Sequence, residues 1–173
     1  MDDAPTATDA ATPESVFSVD DDLATLWVKA FQGEVSGEML FGRLAQRAEE
    51  PDRRHKLEVL RDLESRTRGA LVPAMERNGL PTDPDPEVER DAATLADAAA
   101  SLPWSDLLAA FEPITTQFIA LYRRIGELAG DEDQMVAGLL VDHEVALREF
   151  ARRELSGRAQ DSLSMITALA HMG

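Results

Sequence analysis

The chain has 173 residues, 44% of them hydrophobic, which suits one domain with a substantial core. It carries 33 acidic against 17 basic side chains, a formal net charge of -16, which argues against binding nucleic acid through a basic face or docking on anionic lipid. There is no cysteine, which excludes disulfides, thiol chemistry and cysteine-based zinc sites.

Residues 1–17 are rich in Asp, Ala, Thr and Pro and read as a disordered acidic tail, followed by one helical domain over 18–173. The start of the chain has neither a basic nor an apolar leader segment, so a cytoplasmic location is expected. The first helix is predicted to begin after Ser18, with Asp20, Asp21 and Asp22 in its first turn. Leu23, Leu26, Trp27, Ala30, Phe31, Phe41 and Leu44 recur at helical spacing along it. Glu34 falls in the middle of that stripe. Gly33 and Gly37 flank it, where a neighbouring helix can come close.

Pro51 suits the first turn of a second helix, whose stripe is Leu57, Leu60, Leu63, Thr67, Leu71 and Met75. Pro73 predicts a kink and Asn78-Gly79 a C-terminal cap. The Pro-rich segment 80–86 reads as a linker, and the alanine-rich segment 87–100 as a short helix in the connection. A third long helix is predicted from Pro103, with Phe111, Ile114, Phe118, Leu121 and Ile125 facing inward and a disturbance at Pro113. Gly130 ends it, and Asp131 is expected to cap a fourth helix, which closes at Ser156-Gly157. A last short helix over 162–171 is expected to pack over one end. His55 and His171 read as surface residues, and Trp27, Trp104 and Tyr122 as packing.

A repeat runs through this pattern. Leu60-Arg61-Asp62-Leu63-Glu64 leads to Arg68, and 80 positions on Leu140-Val141-Asp142-His143-Glu144 leads to Arg148. Ala30 and Phe31 find the same residue types at Ala110 and Phe111. A helical hairpin has been written twice. Two hairpins joined by a longer connection predict an all-α four-helix bundle.

On helical wheels at about 100° per residue, Glu34 points to the centre of its stripe. Glu64 and Glu144 lean to one common edge of theirs, and His143 lies well inside the fourth. Carboxylates in an apolar interior need compensation. A metal ion would supply it, as would an internal arginine (Arg61, Arg68 or Arg148), a protonated His143 or a protonated glutamate. For Glu64 with Arg68 and for Glu144 with Arg148, an ordinary exposed i,i+4 ion pair is the competing reading. Glu38, one turn beyond Glu34, reads as a solvated residue.

With Glu34, Glu64 and Glu144, the duplicated hairpin and the long crossover, residues 20–156 resemble the ferritin-like superfamily, of the rubrerythrin and bacterioferritin kind. The resemblance implies a bundle whose helices supply Glu, Glu-x-x-His, Glu and Glu-x-x-His to a di-iron centre. It places Glu34 as the first-helix ligand, with Glu64 and Glu144 as the bridging carboxylates. Three of the six family positions hold other residues: Thr67, Leu147 and Ile114. Glu112 lies two residues from the last and serves only if Pro113 shifts the register. The resemblance therefore implies the fold and a reduced metal site of Glu34, Glu64, Glu144 and His143, without the family's ferroxidase or oxygenase activity.

Three functions fit this pattern: iron or manganese binding for iron or oxygen handling, a metal-free module for a small ligand or protein partner, and a structural subunit forming a homodimer.

Overall fold

The structure is a computed structural model, and it describes residues 15–170. Most of the expected acidic tail and His171 lie outside the described residues. Within them the chain is all-helical, and no helix is long and apolar enough to cross a membrane. In order come α1 (Leu23–Arg47), α2 (Pro51–Arg77), α3 (Pro86–Ala99), α4 (Trp104–Ala109), α5 (Phe111–Leu128), α6 (Gln134–Leu155) and α7 (Ser164–Ala170).

Local chemistry sets the ends. Asp22 caps α1 by accepting the Thr25 N–H at 2.8 Å. Asp20 and Asp21 therefore precede the helix instead of forming its first turn. Pro51 opens α2, and Gly79, at φ 65°, turns the chain away after Asn78. The third long helix is broken at Ala110, because Pro113 has no N–H to return to the Ala109 carbonyl. The fourth starts later than expected: Asp131–Asp133 form a 3-10 turn, and Asp133 is buried against the Arg77 guanidinium and the Asn78 amide. Val16 and Phe17, assigned to the tail by sequence, pack on the domain, and the Val16 N–H donates to Gln117 at 3.1 Å.

Four long helices share the interior. Leu26, Trp27 and Phe31 from the start of α1 meet Leu71 and Met75 from the end of α2. Leu121, Tyr122 and Ile125 from the end of α5 and Leu140 from the start of α6 complete that cluster. Phe41 and Leu44, Leu57 and Leu60, Phe111, and Leu147 and Phe150 make a second cluster at the other end. The mixing fixes the directions: α1 and α6 run one way, α2 and α5 the other. The chain must therefore travel the length of the molecule between α2 and α5, and α3 carries it. The Gln32 side chain bonds the Asp83 carbonyl and the Asp85 N–H just before α3. Near the end of α3, Asp97 meets Arg47 at 2.6 Å. Its small face of Ala92, Ala96 and Ala99 is buried, which lets it lie close to α1.

Candidate metal centre

Between the two apolar clusters lies a layer of buried polar groups. Glu34 is 1% exposed, Glu64 4%, Glu144 5% and His143 0%. Glycines make room for them. A Cβ on Gly37 would stand 2.5 Å from Cδ of Glu64, so the carboxylate rests directly on the α1 backbone. A Cβ on Gly33 would meet the Phe118 ring at 2.7 Å, so this second glycine admits α5. One hairpin partner and one helix of the other hairpin thus close on Glu34 from two sides.

Each long helix gives one member to a continuous row. Tyr122 on α5 donates its hydroxyl to Glu34 Oε1 on α1 at 2.7 Å. Glu34 Oε1 lies 3.5 Å from His143 Nδ1 on α6, and His143 Nε2 lies 3.4 Å from Glu64 Oε1 on α2. One imidazole therefore stands between two carboxylates. Ligand atoms of Glu34, Glu64 and His143 lie within 4.8 Å of one another. Glu144 is not part of this close group; it is a buried neighbour that feels the charges of His143, Glu64 and Glu34.

The arginines expected as compensators do not enter. Arg61 pairs with its neighbour Asp62, and Arg68 crosses to Glu38 on α1 at 2.8 Å, so the i,i+4 pair with Glu64 is not formed. Among the described residues no arginine pairs with Glu144 either. Glu38 is accordingly half-buried in an ion pair instead of solvated. The third-helix alternatives also fall away: Ile114 is 47% exposed, and exposed Glu112 is bound by Arg152 at 2.7 Å. Thr67 and Leu147, where the family carries histidines, are buried, and the Thr67 hydroxyl is spent on the Leu63 carbonyl.

With no lysine or arginine in the layer, protons must balance its charge. Burial raises Glu64 to about 8; the His143 charge opposes this and the Glu34 charge adds to it. Burial pulls His143 down, but the flanking carboxylates of Glu34 and Glu64 outweigh it and hold the imidazole well above its usual value. Glu144 is pushed well up, mainly by burial. Burial and the Glu34 charge also raise Tyr122, which keeps its proton and donates it.

Sequence reasoning took Tyr122 for packing alone. The signal available was general: a buried phenol needs an acceptor. It also missed a second buried pair near the α6 end. Lys56 Nζ meets Glu154 at 2.8 Å and exposed Asp52 at 2.6 Å, and Trp104 Nε1 donates to Glu154 at 3.0 Å.

The donor set suits a first-row divalent ion. Two carboxylates and an imidazole fit iron, manganese or zinc. Bonds of about 2.0–2.2 Å put two donors on one ion roughly 3–3.5 Å apart, close to the gap between an imidazole nitrogen of His143 and the carboxylate that it faces. Both imidazole nitrogens and Glu34 Oε2 are buried without a hydrogen-bond partner. A coordinating ion would satisfy Glu34 Oε2 and one of the imidazole nitrogens, leaving the other as an N–H donor to the opposite carboxylate. Comparison with protein-family models, curated proteins and solved structures finds no match for this chain.

Proposed function

We propose that this chain is a ferritin-like four-helix bundle that holds a single divalent metal ion, iron or manganese, on Glu34, Glu64 and His143. The observation that carries this reading is the convergence of three buried ligand groups from three helices, with Glu34 Oε2 unpartnered among them. A second glutamate ligand per hairpin is missing on the α5 side, so one ion is the capacity that the donors support. Bound iron or manganese would supply redox chemistry toward oxygen or iron; the chain's own part is to fix the donors and keep water out. Tyr122 orients Glu34.

The test is elemental analysis of protein purified without chelator, followed by Mn(II) titration of the stripped protein. About one ion per chain is expected, lost in Glu34→Gln. Stoichiometric metal in neither experiment would overturn the reading. A metal-free network is the alternative, favoured by one specific observation: the two nitrogens of His143 face different carboxylates, as a protonated bridge would. In that case the stripped protein binds no ion.

A further inference from the structure

A groove of about 810 Å³ runs between α2 and α6 toward the end of α7. Its walls are Leu63, Ala70, Met135, Leu139 and Leu169, and at its inner end are Thr67 and His143. Two other cavities, of about 290 and 380 Å³, are smaller. Grooves of this size, mostly apolar with a few convergent polar groups, are the usual form of a small-molecule site.

The charges around the groove select the class of occupant. Arg66, Arg77, Glu132 and Asp142 line it, two of each sign, and all are exposed. Arg77 is already neutralised by buried Asp133, and Arg66 bonds the carbonyl of Asp62. With Arg77 answered by Asp133, the lining keeps Arg66 against Glu132 and Asp142, one net negative charge that repels an anion, while its walls reward apolar area. At the inner end, Thr67 gives its own proton to the Leu63 carbonyl, and both His143 nitrogens face glutamates. What is left there is compatible with a weakly polar group and with no ionised one. We infer that this groove binds a small, uncharged, largely apolar organic molecule, with its inner end against Thr67 and His143.

The inference does not depend on a metal. It is tested on full-length protein stripped with chelator, using the neutral fluorescent probe N-phenyl-1-naphthylamine. Saturable binding of one probe per chain is expected, weakened by at least roughly tenfold in Ala70→Trp, which fills the groove. Gly138→Phe is the second variant, because Gly138 also lines the groove and a Cβ there meets nothing within 4 Å. The anionic probe 1-anilinonaphthalene-8-sulfonate is expected to bind at least roughly tenfold more weakly than the neutral one. Absence of saturable binding, binding unaffected by both variants, or equal binding of the anion each overturns the inference. So does a dimer in gel filtration that Met135→Glu converts to monomer, since a second copy would then fill the groove.

Discussion

Gly37 is the residue on which the candidate centre rests, because the Glu64 carboxylate occupies the space of its missing side chain. In Gly37→Ala, a helix-propensity gain of about 1 kcal/mol opposes overpacking of about 1–3 kcal/mol. A net loss is expected in urea denaturation, together with weaker Mn(II) binding. The loss should disappear when Glu64 is also replaced by Ala; a penalty that persists would place the clash elsewhere. Replacing His143 by Leu is the complementary case. It leaves Glu34 and Glu64 buried without the group between them and should cost about 3 kcal/mol or more in the metal-free protein. Glu34 was legible as buried because its sequence neighbours on the helix are apolar. Its bond to Tyr122 was not, since the two lie 88 positions apart and nothing local marks the pairing. Lys56 was missed for a related reason: with Asp52 one turn away it looks like any exposed i,i+4 pair, while its buried partner Glu154 comes from a distant helix.

At the scale of elements, the same pair ties α2 to α6, and Trp104 brings α4 to it. The Arg53 guanidinium lies over the Trp104 ring, 5.5 Å from its centre. Lys56→Met keeps the stem's volume but leaves Glu154, whose side chain is 5% exposed, without its cation. A loss of about 2–4 kcal/mol is expected, read by chemical denaturation with tryptophan fluorescence. An unchanged midpoint would mean that Trp104 suffices to hold the carboxylate. Helix identity and most boundaries could be read from periodicity, proline and glycine. The exceptions have physical causes. Ile114 sits on the inward spacing of one continuous helix, yet the break at Ala110 resets the face, and Thr115 is buried in its place. Likewise, the pull of Arg77 on Asp133 makes 131–133 a 3-10 turn before α6, a tertiary effect that no local pattern announces.

For the whole molecule, the buried layer makes folding stability depend on pH. Glu64 has a folded value of about 8 against an ordinary 4.5. Its contribution is complete below about pH 4.5 and is lost as pH rises toward 8. His143, raised above 6.5, acts in the same sense, with its contribution complete below 6.5 and lost above. Between these limits the folded chain holds more protons than the unfolded one, so stability falls with rising pH, by about 1 kcal/mol per pH unit for each proton. The metal-free protein should therefore melt higher at pH 5.5 than at pH 8.5. A flat or rising profile would mean that these groups titrate normally. The surface carboxylates lowered by their partners, Asp21, Asp22 and Glu112, act in the opposite sense, but in a window below their ordinary values.

The long strap formed by the 80–86 linker and α3 has one more consequence. The first hairpin carries Glu34 and Glu64, and the second carries Tyr122 and His143, so neither half owns a complete row. If two chains traded hairpins across that strap, each half of the exchanged pair would rebuild the full set from borrowed parts. The duplicated halves would then be interchangeable between molecules, and the chemistry would survive the exchange while the ownership of each centre became shared.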